Sequence, residues 1–320
     1  MRVAKNLLEL IGQTPMVELS RINPYKNVRL LAKLEYLNPG GSVKDRIAVP
    51  MIEAAEREGK LKPGGWIVEP TSGNTGASIA LAALLKGYKV AFTMPDKVSP
   101  EKIDYLRALG SEVHVCPTAV GPDDPRSYYS VARRIAKERP AFHPNQYDNM
   151  FNPEAHYRST GPEIWQQTEG KLDAFICGVG TGGTISGTGK FLKEKNATVK
   201  IVGADPEGSM IYSEFYGKPH DIHTYLVEGI GEDIIPGTLN LKIIDEIIRV
   251  SDKESYAIAR ELVRKEGVMT GSSGGSAMLA ALRYAEKVKQ GTLVVLIPDS
   301  GRAYLGKVYS DQWMREKGLL

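Results

Sequence analysis

Lys44 stands just after two glycines and a serine, in Gly40-Gly41-Ser42-Val43-Lys44-Asp45-Arg46, where the pattern reads as the mouth of a helix. The N-terminus of a helix carries partial positive charge, so an ammonium group there is disfavoured and the neutral amine gains ground. A lysine with a lowered pKa can form a Schiff base and carry protons. A solvated lysine is the other reading, and this segment alone does not choose between the two.

Three loops could hold a ligand beside such a lysine. Gly180-Thr181-Gly182-Gly183-Thr184 lies between a predicted strand and a predicted helix. Glycines there let backbone N–H groups approach an oxyanion, the helix dipole favours its charge, and two threonine hydroxyls add donors. The pattern is that of a phosphate cradle, without the lysine of a nucleotide P-loop and without the dinucleotide spacing; a tight glycine turn is the alternative. Thr71-Ser72-Gly73-Asn74-Thr75 also follows a strand and opens a helix. It suits a carboxylate that must be held and released, or it is an ordinary helix cap. Gly271-Ser272-Ser273 precedes a third helix, where a serine hydroxyl can simply cap. Taken together, the reactive lysine, the phosphate loop, the amide and the hydroxyls point to a phosphorylated aldehyde cofactor. In open α/β sheets such ligands sit at the carboxyl ends of strands.

The elements that must position these groups alternate along the chain. Strands are expected at Val28–Leu34, Trp66–Glu69, Tyr88–Met94, Glu112–Cys116, Ala174–Cys177, Lys200–Ala204 and Leu293–Ile297. Helical segments lie between them, including one over Ile47–Glu58 that either starts near Val49 or kinks at Pro50, one capped by Ser99, and one over Leu241–Val250. Residues 209–238 read as irregular. The alternation predicts α/β architecture with a parallel sheet. Regular patterning fails between Ala141 and Pro153, around Asn145-Gln146-Tyr147-Asp148-Asn149, which marks a lobe boundary.

At 320 residues the chain exceeds the size at which one core stops growing, about 250 to 300 residues, and has room for two lobes. A net charge of +3 gives no argument for nucleic acid or a membrane surface. The two cysteines, Cys116 and Cys177, sit at the ends of apolar runs and far from any histidine cluster, which argues for buried thiols and against a metal site. The N-terminus lacks the apolar run of a signal peptide, and a cytoplasmic protein is expected.

At this point the sequence resembles the fold type II pyridoxal-phosphate enzymes of the cysteine synthase and cystathionine β-synthase family. Ser42-Val43-Lys44-Asp45-Arg46, Thr71-Ser72-Gly73-Asn74-Thr75-Gly76, Gly180 to Thr184 and Pro298-Asp299-Ser300 occur in the family's order, and the likeness runs from Gly12-Gln13-Thr14-Pro15 to the C-terminus. It implies a two-lobed α/β fold, each lobe a twisted, mostly parallel sheet flanked by helices, with pyridoxal 5'-phosphate in the cleft between them. The expected division is a smaller, mobile lobe over 46–145 and a larger cofactor-binding lobe over 1–45 and 146–320, with no haem extension and no C-terminal regulatory domains.

The same resemblance implies that Lys44 attaches the cofactor and acts as the catalytic base. Asn74 faces the ring hydroxyl, Gly180, Thr181, Gly182, Gly183 and Thr184 hold the phosphate, and Ser273 faces the ring nitrogen. Thr71, Ser72, Asn74, Thr75 and Gln146 hold the substrate carboxylate, with Tyr147 near the substrate entrance. The implied reaction is β-replacement on serine or an O-activated serine by a thiol, in a homodimer acting on small amino-acid and thiol substrates. Glu228-Gly229-Ile230-Gly231, Gly301-Arg302-Ala303-Tyr304 and Ser310-Asp311-Gln312-Trp313-Met314 lean towards the cystathionine-forming members, with Glu228 placed for a second amino group. Asn145 stands where those members usually carry aspartate, which leaves the substrate preference open, and Thr160-Gly161-Pro162-Glu163-Ile164-Trp165 resembles cysteine synthase as much. A serine or threonine dehydratase shares the fold, although its lysine and asparagine loops read differently.

Overall fold

The computed structural model describes every residue except Met1, Arg2, Ser72, Lys97, Ser99, Thr118 and Pro122. The helix cap expected at Ser99 and the carboxylate contact expected at Ser72 therefore lie outside the described residues. The chain divides into two compact units, residues 1–11 with 38–151 and residues 12–37 with 152–320.

The chain opens with strands β1 (Met16–Glu18) and β2 (Val28–Leu34) of the larger unit. The smaller unit follows, with α1 (Asp45–Arg57), β3 (Trp66–Pro70), α2 (Asn74–Lys86), β4 (Lys89–Pro95), α3 (Pro100–Ala108), β5 (Glu112–Cys116) and α4 (Tyr128–Glu138). The larger unit resumes with α5 (Phe151–Arg158), α6 (Thr160–Gln167), β6 (Ala174–Gly178), α7 (Gly183–Lys195), β7 (Lys200–Pro206) and α8 (Met210–Tyr216). It ends with β8 (Glu246–Val250), α9 (Asp252–Glu266), α10 (Ser272–Val288), β9 (Gly291–Ile297) and α11 (Asp311–Glu316). The fold is α/β. No helix among the described residues is long and apolar enough to cross a membrane.

The larger unit holds a six-stranded sheet in the order β1-β2-β9-β6-β7-β8, parallel except for β1. Parallel strands covered on both faces read as continuous apolar runs, and β6 and β9 do so, with Ala174 to Cys177 and Leu293 to Ile297 all buried. Lys33 breaks that rule inside β2. It is fully buried, and its ammonium is held by the Thr14 carbonyl at 2.7 Å, Glu163 at 2.7 Å and Gln167 at 3.0 Å, which offsets the cost of removing a charge from water. The smaller unit holds a three-stranded parallel sheet, β3-β4-β5, over a core that includes Ile52, Ile67, Ile79, Phe92 and Leu106.

Three features differ from the expectation. The segment Leu241–Val250 is not a helix: Leu241–Ile243 is a short 3-10 turn and Glu246–Val250 is an edge strand in register with β7 from Val202 opposite Glu246 to Pro206 opposite Val250. Its β-branched Ile247, Ile248 and Val250 prefer the pleated surface, and an exposed strand of β7 is there to pair with. Helices α5, α8 and α11 have no clear apolar period and were not expected; serine side chains cap two of them, Ser209 accepting from the Ile211 N–H and Ser310 from the Trp313 N–H. Helix α1 starts at Asp45, so Pro50 lies inside it and withholds the donor that would meet the Arg46 carbonyl.

Residues 1–11, 38–45 and 146–151 fall with the smaller unit, where the expected division placed them in the larger lobe. Their bonds say why. Asp45 accepts from Ser78 of α2, Gln146 accepts from Thr75 of α2, and Leu8 packs on the smaller unit's core.

Candidate active site

In the smaller unit the chain turns at Asn38-Pro39-Gly40-Gly41, where the Gly41 N–H bonds the Asn38 carbonyl at 2.9 Å and Gly41 takes a φ of +84°. Lys44 follows as the N-cap residue of α1, half-buried, with its N–H 3.2 Å from Ser42 Oγ. Asp45, the first residue of the helix, is buried and fixes this start. Its Oδ2 accepts from the Gly40 N–H at 2.6 Å and its Oδ1 from the Ser78 hydroxyl at 2.5 Å. A carboxylate thus already answers the positive field of the α1 N-terminus. Ser78 also donates to the Asn74 carbonyl at 3.0 Å, so Asp45 couples the backbone of Lys44 to the first turn of α2.

That first turn carries Asn74 and Thr75. Thr71, before it, is buried, and its Oγ1 accepts from the Gly73 N–H at 3.3 Å. The buried Thr75 hydroxyl donates to Gln146 Oε1 at 2.7 Å, so two residues 71 positions apart meet. Gln146 is presented by a turn whose preceding residue, Asn145, has φ +48° and donates its N–H to the buried Glu69 at 3.2 Å. Asparagine tolerates that left-handed backbone. Tyr147 lies half-buried beside Gln146.

In the larger unit β6 runs into the glycine loop and α7 begins at Gly183. Gly182 caps the helix with φ +84°, a region that side chains rarely adopt, and a Cβ there would lie 2.6 Å from Leu239 Cα. The first N–H groups of a helix have no partner inside it, so those of Gly183 and Thr184 point outward with the positive end of the dipole. Side chains from α5 and α6 support the loop. Asn152 Nδ2 donates to Thr181 Oγ1 at 3.1 Å, and His156 bridges Thr160 Oγ1 at 2.8 Å and Thr184 Oγ1 at 3.2 Å. Asn152 and His156 are fully buried. The Thr238 hydroxyl adds a bond to the Thr181 carbonyl at 2.5 Å.

Ser273 is buried at the second position of α10. The preceding Gly271 N–H is held by Asp299 Oδ1 at 3.2 Å, and the Tyr304 hydroxyl bonds Asp299 Oδ2 at 2.6 Å. The Glu228 turn connects this helix to the glycine loop. The Glu228 N–H donates to Ser272 Oγ at 3.1 Å, a Cβ on Gly229 would come within 4.0 Å of Ser273 Oγ, and a Cβ on Gly180 would lie 2.8 Å from the Gly229 carbonyl oxygen. The Gly231 N–H bonds the Val179 carbonyl at 2.8 Å. The larger unit therefore brings Gly180, Glu228, Gly229 and Ser273 close together. The Glu228 carboxylate meets Lys307 at 2.6 Å.

The sequence reading missed the residues that position the others. Asp45 lies within the quoted lysine motif, but its partner Ser78 is remote; Asn152, His156 and Asp299 likewise act on loops distant in sequence. Asp205 was missed as well. It is fully buried at the end of β7, with its Oδ2 accepting the Tyr212 N–H at 2.8 Å, and burial pushes its carboxyl up to about 6. An acid ending a buried strand just before Pro206 was the only available signal. Among the described residues no group of His, Cys, Asp and Glu is arranged to hold a metal ion.

Residues 7–299 match the family model described as pyridoxal-phosphate dependent enzyme. The chain is 47% identical to a cystathionine beta-synthase of Rattus norvegicus over 323 aligned residues, covering all of this chain and 58% of that protein. It is 44% identical to a cysteine synthase of Staphylococcus aureus, covering 94% of this chain and 95% of that one. The chain thus spans about six-tenths of the length of the cystathionine beta-synthases it matches and nearly all of the cysteine synthase. Among solved structures, a hydrogen sulfide-producing enzyme from Fusobacterium nucleatum superposes with a TM-score of 0.89 at 38% identity, over 95% of this chain and 99% of that one.

Proposed function

The chain belongs to the pyridoxal-phosphate-dependent enzyme family, and we propose that it replaces the β-substituent of serine or an O-activated serine with a thiol, serine and homocysteine giving cystathionine and water. Enzymes of this family use pyridoxal 5'-phosphate. The glycine loop fits its phosphate: the helix-start N–H groups of α7 and the hydroxyls of Thr181 and Thr184 are donors suited to a dianion, and no side chain projects from Gly182 between them. When bound, the cofactor supplies an electron sink for the negative charge that develops at the substrate α-carbon.

In this reading the residues divide the work. Lys44 attaches the cofactor, and its Nζ takes the α-proton as general base and later returns it. Gly180 to Thr184 hold the phosphate, and Asn74 bonds the ring hydroxyl. Ser273 offers the ring nitrogen a neutral hydrogen bond, which suits elimination over transamination because an acid there would keep that nitrogen protonated. Thr71, Ser72, Asn74, Thr75 and Gln146 hold the substrate carboxylate; the bond between Thr75 and Gln146 supports their common role. Tyr147 stands at the substrate entrance. A cytoplasmic homodimer completes the proposal, in keeping with two buried free thiols.

The observation that carries the cystathionine reading is the setting of Glu228, an acid whose backbone is bonded to Ser272 beside Ser273 and whose following glycine packs on Gly180. An acid there answers an amino group on the incoming thiol, which sulfide lacks. Cysteine formation from O-acetylserine and sulfide is the second reading, favoured by Asn145 and by the near-complete coverage of the Staphylococcus cysteine synthase. The test pairs serine and O-acetylserine each with homocysteine and sulfide and compares kcat/KM. A higher value for homocysteine supports cystathionine formation, a higher value for sulfide supports the second reading, and no replacement product in any of the four mixtures refutes both.

A further inference from the structure

We propose that Glu69 is a positioning residue for the substrate-carboxylate site, fixing Gln146 through the backbone of Asn145; this rests on the reading above, in which Gln146 holds the carboxylate of the amino-acid substrate. Beside β3 the chain forms a parallel bridge, Phe142 opposite Ile67. The Phe142 N–H bonds the Trp66 carbonyl at 2.9 Å, and the Val68 N–H bonds the Phe142 carbonyl at 2.9 Å. Parallel neighbours leave at the same end, so the Thr71 loop and the Gln146 turn start side by side. Glu69 stands near that end of β3 with only 2% of its surface exposed. Its Oε2 accepts the Asn145 N–H at 3.2 Å and lies 3.1 Å from His143 Nε2. A carboxylate this far from water needs such partners, and both come from the segment that leads into Gln146.

Asn145 takes a φ of +48°, which carries a steric cost for any residue with a Cβ. That backbone closes a tight turn, in which the Asp148 and Asn149 N–H groups bond the Asn145 carbonyl at 3.1 and 3.0 Å. A charged acceptor makes a stronger hydrogen bond than a neutral one, and here it meets the residue whose backbone is least favourable. The side chain of the next residue is held as well. A carboxylate accepts and cannot donate, so the Gln146 amide must offer it Nε2, and the Thr75 bond to Oε1 sets the amide that way round. Glu69 thus holds the backbone leading into Gln146 while Thr75 holds its side chain, and both come from β3 and the helix that follows it.

The test is a double-mutant cycle on the holoenzyme, read by titrating the cofactor absorbance with serine or O-acetylserine, whichever the unsubstituted enzyme turns over faster. Glu69→Ala is expected to raise the midpoint on the order of 10-fold, the value of a charge-assisted hydrogen bond, and Glu69→Gln about threefold, because a neutral acceptor remains. The KM of the thiol is expected to stay within about twofold of the unsubstituted enzyme. Glycine adopts the left-handed backbone without steric cost, so Glu69→Ala made on top of Asn145→Gly is expected to raise the midpoint several-fold less than it does alone. A general loss of stability would act equally in both backgrounds. If Glu69→Ala does not fold, the cycle is made with Glu69→Gln. Midpoints that do not move, a thiol KM that rises as far as the midpoint, or equal effects in the two backgrounds overturn the proposal and leave β-replacement standing. If neither amino acid changes the absorbance of the unsubstituted enzyme, the function falls and the proposal with it.

Discussion

Replacing Gly182 with alanine tests the proposed phosphate loop most directly. The residue has φ +84°, and forcing a side chain into that region costs about 1–2 kcal/mol. The new Cβ would also lie 2.5 Å from Leu239 Cβ and 2.6 Å from Leu239 Cα. Leu239 cannot simply retreat. Its N–H bonds the Pro236 carbonyl, Thr238 is bonded to the Thr181 carbonyl, and the Asn240 N–H to Ser186 Oγ at 2.8 Å, so backbone must shift on both sides. Overpacking of this kind typically costs about 1–3 kcal/mol, giving a total of about 2–5 kcal/mol. Gly217→Ala is the control, since it shares a left-handed φ of +60° but its Cβ would meet nothing within 4 Å, leaving only the conformational part. Chemical unfolding of the apoprotein and absorbance titration with pyridoxal phosphate together read the outcome. Strain relieved by moving the loop reappears as lost cofactor affinity, about tenfold for each 1.4 kcal/mol. A Gly182→Ala protein that unfolds and binds cofactor just as the Gly217→Ala control does would refute the confinement of this loop by Leu239.

Other expectations follow from the same geometry. Lys44→Ala is expected to abolish β-replacement and the serine-induced change in cofactor absorbance, and retained turnover would remove Lys44 from the mechanism. Thr75→Val breaks the bond to Gln146 and is expected to raise KM for serine or O-acetylserine roughly tenfold, with a smaller change in KM for the thiol, both read from steady-state kinetics. For Asp205, burial raises the folded value to about 6 from 3.8, so the unfolded chain loses its proton first and stability falls as pH rises through that interval. Relative to Asp205→Asn, the unsubstituted protein should lose about 2 kcal/mol between pH 4 and pH 7 in urea unfolding, and parallel pH profiles would contradict it.

How much of this was legible in the sequence depends on the distance over which each feature is determined. Strands β6 and β9 are built on continuous apolar runs, and the glycine loop and Gly40-Gly41 turn are local backbone requirements, so a short window contains their causes. Strand β8 was read as a helix because Leu241, Ile244 and Ile248 also satisfy a helical period; pairing with β7 decided the matter, and no window around residue 246 contains β7. The supporting bonds were hidden for the same reason. Asp45 finds Ser78 at 33 positions, His156 finds Thr184 at 28, and Glu228 finds Lys307 at 79. Each pair becomes visible only after the sheet order is known.

That order also explains why pieces so far apart in sequence converge in the larger unit. Strands β6 and β9 are parallel neighbours, Ala174 opposite Leu293 and Ile176 opposite Val295, so both leave the sheet at the same edge. The glycine loop continues from one and Asp299 from the other. Helix α10 packs on this sheet through Ala277, Met278, Ala280 and Ala281, which brings its N-terminus back to that edge. Asp299 is the buried acid closest in the bonding chain to Ser273, yet both carboxylate oxygens are engaged, one by the Gly271 N–H and one by the Tyr304 hydroxyl. It is therefore used to hold the helix start, and on the proposed reading what α10 presents to the ring nitrogen is the Ser273 hydroxyl. The parallel topology collects these residues, and in the proposed site the engagement of both Asp299 oxygens, by the Gly271 N–H and the Tyr304 hydroxyl, would leave the ring nitrogen a neutral partner. On that reading a neutral partner such as the Ser273 hydroxyl would limit how far negative charge is drawn into the ring and so would favour departure of the β-substituent over reprotonation elsewhere.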